Sequence, residues 1–328
     1  MSQWDDIDAI TEELPRIAIE RYGFSEGTTA KLLAISENAN FRVHDPVTGQ
    51  NRVMRVLRQG YHDDDSVRSE LAWVNALRED TDLLVPAALP ADDGRFLLPF
   101  RLGEKARRTI MFECVEGSNL TLDDMRPDML AQLGAISAKM HAHSRSWRKP
   151  AWFTRYRWNL DSMLHPSSRT RFGYWRENAK LSEADKTFLD RAAARITERL
   201  DEYSLDASRI GLSHGDLHVL NLMLAGDDLW AIDFDDCGIG WYMQDIAPAL
   251  AACAPGDFAD ELKHAWLDGY REVGELTAAD IASADDLIML RRFVLLGWCA
   301  THPEADPPLL YDDLVATTVE AAAAYLSE

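Results

Sequence analysis

One stretch constrains this chain more than any other: Ser213-His214-Gly215-Asp216-Leu217-His218-Val219-Leu220-Asn221, followed by Trp230-Ala231-Ile232-Asp233-Phe234-Asp235. Between its halves, Asn221–Leu224 and Leu229–Ile232 read as strands joined by a turn at Ala225-Gly226-Asp227-Asp228, residues that suit a tight hairpin. Asp216 and Asn221, five apart on a loop, can face one cleft from opposite ends. The hairpin then returns the chain so that Asp233 arrives beside Asn221.

The rest of the chain supplies a setting for that loop. Upstream of residue 112, Lys31–Ile35, Phe41–His44, Arg52–Leu57, Phe96–Phe100 and Thr109–Cys114 read as strands, by alternation or by apolar runs. Asp45-Pro46-Val47-Thr48-Gly49 is a hairpin turn between the second and third. Val67, Leu71, Val74 and Leu77 place a helix over Ser66–Leu77. Strands, one helix and further strands form the order of a five-stranded antiparallel lobe. From residue 125 helices dominate, with faces at Met129, Leu133, Ile136 and Met140, and at Phe188, Ala192, Ile196 and Leu200 behind an N-cap at Ser182. Leu262, Trp266 and Tyr270, then Leu287–Cys299, continue the helical part. Gly117 and Ser118 mark the boundary, which gives domains over residues 1–116 and 117–328.

Phosphoryl transfer to an alcohol needs a carboxylate near the attacking hydroxyl and magnesium to neutralise charge on the nucleotide phosphates. Magnesium takes oxygen ligands, a few from protein and the rest from phosphate and water. Asp216, Asn221 and Asp233 can supply one base and two such ligands. The pattern H-G-D-x-x-x-x-N followed by a D-F-D-like triplet resembles the aminoglycoside phosphotransferase and choline kinase superfamily, which includes type II homoserine kinases and bacterial stress-response kinases. That resemblance runs from about residue 28 to about residue 300. It implies an α+β, two-lobed protein-kinase-like fold, with ATP and Mg2+ used between a sheet-based small lobe and a mainly helical large one. By the same resemblance Asp216 is the catalytic base, Asn221 and Asp233 are magnesium ligands, and His214 organises the loop. Asp235 stands where a second acid often lies near the metals, and Asp245 where an aspartate at a helix start braces the catalytic loop.

The small lobe has its own matches. Arg55 falls where kinases place a phosphate-contacting lysine on the third strand, and Glu70 where a helix glutamate would pair with it. An exposed Arg–Glu pair is the plainer alternative. Asn38, in Ser36-Glu37-Asn38-Ala39-Asn40, sits where a phosphate-covering loop belongs. Met111–Gly117 resembles a hinge, with the backbone of Glu113 and Val115 facing the adenine edge.

Other classes fit less well. His214, Asp216 and His218 could suggest a metallohydrolase, but an early D-x-H, a G-N-H and an H-E-x-x-H are absent. A protein Ser/Thr kinase of the stress-response type is a closer rival. Gly215 precedes the catalytic aspartate, however, and the interval from Asp233 to Asp245 is too short for a regulated activation loop. A non-catalytic nucleotide-binding scaffold would be expected to have lost one of the three key residues.

The formal net charge of −21 argues against nucleic acid or an anionic membrane as partner. No apolar run reaches a membrane-spanning length of ~18 residues. Cys114, Cys237, Cys253 and Cys299 are scattered without a C-x-x-C pair, which suits a reducing, cytoplasmic setting. The expected partner is a small-molecule hydroxyl acceptor. Residues 145–176 reverse the local charge, with Arg145, Arg148, Lys149, Arg155, Arg157, Arg169, Arg171 and Arg176 against Asp161. Two readings follow: a helical hairpin whose arginines pair with acidic neighbours, or a pocket for an acceptor bearing an anionic group. A cationic acceptor would instead draw on Asp235, Asp236, Glu304, Asp306, Asp312 and Asp313.

Overall fold

The computed structural model describes residues 4–166, 171–301 and 313–327. The chain divides into two compact units. One comprises Met1–Ser118 with Lys149–Thr154 and Leu224–Ile232, and the other Asn119–Arg148, Arg155–Met223 and Asp233–Glu328.

The first unit runs α1 (Ile7–Tyr22), β1 (Thr29–Ile35), β2 (Ala39–His44), β3 (Asn51–Val56), α2 (Asp64–Asp80), β4 (Ala88–Leu89), β5 (Leu97–Leu102) and β6 (Lys105–Glu113). These strands form one six-stranded sheet in the order β1-β2-β3-β6-β4, with β5 also paired to β6. All its pairings are antiparallel. The addition to the expected five is β4, whose two residues are too short to register as an alternating pattern. The turn before β3 forms because Asp45 Oδ1 accepts from the N–H groups of Val47 (2.9 Å) and Thr48 (3.2 Å), while Gly49 takes φ 73°.

Period-two alternation sorts the sheet's faces. Met54, Val56 and Met111 join Ile10, Leu14 and Ile17 of α1 in one core cluster. Ile110 and Phe112 pack with Val67 of α2 on the other side, where Val53 is also packed. Arg55, two residues on from Val53, therefore projects to the α2 side, where Glu70 waits.

The second unit is mainly helical. Short β7 (Ser118–Asn119) leads to α3 (Pro127–Ser146), α4 (Leu160–Met163) and α5 (Glu183–Tyr203). Ser182 caps α5 as expected: its Oγ accepts from Asp185 N at 3.1 Å, and Asp185 Oδ2 accepts from Ser182 N at 3.1 Å. The buried stripe of α5 is Leu189, Ala192, Ile196, Leu200 and Tyr203, so Leu189 rather than Phe188 begins it. Next in the chain come β8 (Ile210–Ser213), the hairpin of β9 (Leu222–Ala225) and β10 (Asp228–Ala231), whose stretch Leu224–Ile232 is counted with the first unit, and β11 (Gly238–Trp241), which pairs antiparallel with β8. The remaining helices are α6 (Ile246–Leu250), α7 (Asp257–Arg271), α8 (Ala278–Thr301) and α9 (Leu314–Ser327). α8 is buried on several sides, from Leu287 and Leu290 to Phe293, Val294 and Leu296, as suits a helix at the centre of its unit.

Helices α3 and α7 approach unusually closely, and two glycines permit it. A Cβ at Gly134 would fall on the Trp266 carbonyl, and one at Gly269 on the Ala131 carbonyl. That contact sets His141 of α3 against Tyr270 of α7.

The basic segment is not a helical hairpin. Among its described residues the end of α3 takes in Arg145 and Ser146, α4 is the one further α-helix, and a short 3-10 turn covers Trp175–Glu177. Arg169 lies outside the described residues, as do Glu304, Asp306 and Asp312. No described helix is long and apolar enough to cross a membrane.

Candidate active site

The loop after β8 is built around Asp245, at the N-terminus of α6. Its carboxylate, fully buried, accepts from the backbone N–H of His214 (3.1 Å) and of Gly215 (2.8 Å). His141 Nε2 also contacts it at 3.0 Å, and His141 Nδ1 lies 3.1 Å from Tyr270 Oη. A carboxylate only accepts, so Nε2 carries the imidazole proton and Nδ1 accepts from the tyrosine hydroxyl. Burial holds the His141 pKa below its usual 6.5, against the opposing pull of Asp245. Burial thus favours the neutral imidazole, which bridges Asp245 and Tyr270.

Gly215 makes the turn itself. Its φ of 81° favours glycine, and a Cβ there would stand 2.6 Å from the Asp236 carbonyl oxygen and 2.9 Å from Trp158 Nε1. His214 is fully buried, tilted against Phe234 with ring centroids 4.5 Å apart, and its Nδ1 lies 3.4 Å from Asp216 N.

Asp216 emerges from this braced turn with its side chain 25% exposed. Asn221 Nδ2 donates to the Asp216 carbonyl oxygen (2.9 Å) and lies 3.3 Å from Asp216 Oδ2. His218 Nε2 is 3.4 Å from the same Oδ2, and Arg291 of α8 forms an ion pair with Oδ1. Burial raises the carboxyl pKa, but His218 and Arg291 outweigh it and bring Asp216 down to about 2. The side chain is therefore an anion at neutral pH.

Asn221 and Asp233 suit a hard cation. The amide nitrogen of Asn221 is committed to Asp216, which turns its oxygen elsewhere, and that oxygen has no protein donor among the described residues. Asp233 has φ 64° and ψ 66°, the one non-glycine residue at positive φ among the described residues. Such backbone costs on the order of 1–3 kcal/mol and persists where surroundings impose it. Arg155 contributes to that imposition: its Nε donates to Cys237 O at 2.6 Å, and its Nη2 to Asp235 O. Trp158 Nε1 adds a bond to Asp236 O at 3.0 Å, and Arg171 stands 3.6 Å from Asp236 Oδ1. Asp235 itself is buried. Two arginines of the basic segment thus hold the Asp233–Cys237 loop.

In the first unit, Arg55 Nη1 and Glu70 Oε1 form a 2.6 Å ion pair that is 7% and 1% exposed, respectively, so the exposed-pair alternative does not hold. The Arg55 guanidinium also lies 4.8 Å from the centre of the Phe112 ring. Asn38 is buried in the β1–β2 turn, where its Oδ1 accepts from Arg58 N at 3.1 Å. Glu113 donates its N–H to Ala87 O (2.8 Å), and its carboxylate accepts from Ala87 N (3.1 Å). Val115 follows the end of β6, buried, and its N–H has no acceptor among the described residues.

Sequence reasoning missed His141, Tyr270, Arg155, Trp158 and Arg291. For Arg291 a signal existed, since an arginine inside the apolar run Leu290–Leu296 needs a partner. His141 and Tyr270 look like ordinary helix residues until α3 and α7 are packed.

A braced turn carrying an ionised aspartate, with an amide oxygen and a second aspartate after a hairpin, is the set of groups that phosphoryl transfer to a hydroxyl would call on. The sequence profile of the phosphotransferase enzyme family matches residues 29–276. The structure of a microcompartment-associated aminopropanol kinase is 32% identical, covering 98% of each chain, with a TM-score of 0.84. Amicoumacin kinase of Bacillus subtilis (strain 168) is 23% identical over 298 residues, which are 87% of this chain and 84% of that one. The structure of amicoumacin kinase hAmiN in complex with AMP-PNP, Ca2+ and Ami has a TM-score of 0.76 at 20% identity, covering 98% of this chain and 94% of that one.

The chain belongs to the phosphotransferase enzyme family. It is a kinase that moves a phosphoryl group from ATP, with a divalent cation, to a small-molecule hydroxyl.

Proposed function

We propose that this kinase phosphorylates the hydroxyl of a small amino alcohol, with Asp216 as the base. The observation that carries the acceptor class is the 32% identity, over 98% of both chains, to an aminopropanol kinase. The basic segment adds support, because Arg155, Arg171 and Arg176 have partners within the chain: loop carbonyls, Asp236 and Asp190. That weakens the case for an anionic acceptor.

The residues divide the work as follows. Asp216, anionic at rest, accepts the hydroxyl proton of the acceptor. As that proton moves, the acceptor oxygen bonds to the γ-phosphorus, and the bond from phosphorus to the bridging oxygen breaks to leave ADP. A carboxylate with a pKa of about 2 is a weak ground-state base, which suits a loose transition state in which the proton moves late. Asn221 and Asp233 would hold magnesium, which when bound supplies charge neutralisation at the phosphates. His214 and Asp245 keep the Asp216 turn rigid. Asp235, buried beside Asp233, is assigned a supporting role in that loop. Arg55, oriented by Glu70, contacts nucleotide phosphate, and Asn38 shapes the loop that covers it. The Val115 N–H and the Glu113 backbone meet the adenine edge.

The test is ADP release with magnesium-ATP across amino alcohols, aminoglycosides, homoserine, hydroxylysine and sugars. Turnover on an amino alcohol should fall by about 10²–10⁴-fold in Asp216→Asn, with ATP affinity retained. Unimpaired turnover in that variant would remove Asp216 as base. Turnover confined to another class of acceptor would overturn the amino-alcohol reading alone.

A further inference from the structure

α8 carries adjacent buried arginines, Arg291 and Arg292, within an otherwise apolar run. Burying a guanidinium is costly unless it is paired and hydrogen-bonded. Arg292 turns to Cys253 O and to Thr317 Oγ1 at 3.4 Å. Arg291 turns to the candidate base, and the way it does so makes the two oxygens of Asp216 unequal.

Oδ1 takes the close, charge-assisted contact from Arg291 Nη2. Among the described residues Oδ2 has only Asn221 Nδ2 at 3.3 Å and His218 Nε2 at 3.4 Å, both longer than a well-formed bond. One oxygen is therefore anchored and the other keeps accepting capacity. The anchor has little else to hold it. The Arg291 guanidinium lies 5.7 Å from the Trp158 ring centre, and that ring stacks on Phe172 at 5.4 Å. Its Nε–H is buried with no partner among the described residues. A purely structural staple would be expected to satisfy its donors; this arginine is committed chiefly to Asp216.

We propose that Arg291 is a positioning residue that pins Asp216 through Oδ1, so that Oδ2 is the oxygen that receives the acceptor's proton. The inference rests on Asp216 being the base. In the transfer the acceptor's O–H proton passes to Oδ2 while its oxygen bonds to phosphorus and ADP departs. Arg291 gives up no proton, since a guanidinium stays charged throughout.

The test measures kcat and KM with magnesium-ATP and the first acceptor to turn over, or with water as acceptor through slow ATP hydrolysis. Arg291→Met should lower kcat by about 100-fold, the scale expected when a reacting group is misplaced by an ångström or so, and leave KM for ATP unchanged. Arg291→Lys should recover part of that loss, because the charge remains while the fork is gone. Arg291→Ala should regain kcat, saturably, on addition of millimolar guanidinium, and Asp216→Asn should not. Wild-type kcat in Arg291→Met overturns the proposal. A loss that neither lysine nor guanidinium repairs, at unchanged thermal midpoint, overturns it too. If Asp216→Asn retains full turnover, the base assignment has failed, and that result is distinct from a failure at Arg291.

Discussion

Residue by residue, the site depends on a few side chains that hold backbone rather than substrate. Asp245 accepts two loop N–H groups and the His141 Nε2–H, so Asp245→Ala leaves three buried donors orphaned, at about 1–3 kcal/mol each. Urea unfolding should register that loss, and a change below about 1 kcal/mol would show that the loop finds other partners. His141 gives this network a pH dependence. Its folded pKa lies below the usual 6.5, chiefly through burial, so the unfolded chain binds the proton more readily. The stability linked to His141 is then complete above about pH 6.5 and declines as pH falls toward the folded value. Unfolding free energies at pH 7.5 and 5.5 should differ more in wild type than in His141→Gln, and equal differences would refute the linkage.

At the scale of elements, the decisive contact is α3 on α7. Gly134 and Gly269 let the helix backbones touch, and this registers His141 against Tyr270 and Asp245. Gly269→Ala should cost about 1–3 kcal/mol by overpacking and reduce kcat by loosening the Asp245 brace. An unchanged thermal midpoint would mean that the helices slide at no cost. Elements with a clear period were legible from sequence: the strands on either side of Asp45–Gly49, the Ser182 cap and the hairpin after Asn221. Residues 145–176 were not. Aromatic and basic side chains there suggested a helical hairpin, yet the segment has little regular structure. Its Arg155 and Trp158 donate to carbonyls of another loop and Arg171 pairs with Asp236 there, and no local period records such bonds.

For the whole molecule, net charge governs more than fold. At −21 like charges repel across each unit, and the screening length shrinks from about 30 Å at ~0.01 M salt to about 8 Å at ~0.15 M. The thermal midpoint should therefore rise over that range of NaCl. A fall would mean that surface ion pairs, such as Arg176–Asp190, outweigh the general repulsion. The chain's kinase-like architecture and its family were within reach of the sequence, because the motif around Asp216 lies in one short stretch and its spacing is encoded directly. By itself the sequence determined the α+β order, the braced-loop signature at His214–Asn221 and the residue types for transfer chemistry. Only the tertiary structure decided that Arg291, seventy-five residues downstream, meets Asp216, and that His141 and Tyr270 brace Asp245. Those contacts join residues far apart in the chain, and packing between helices, rather than any repeat along one of them, brings them together.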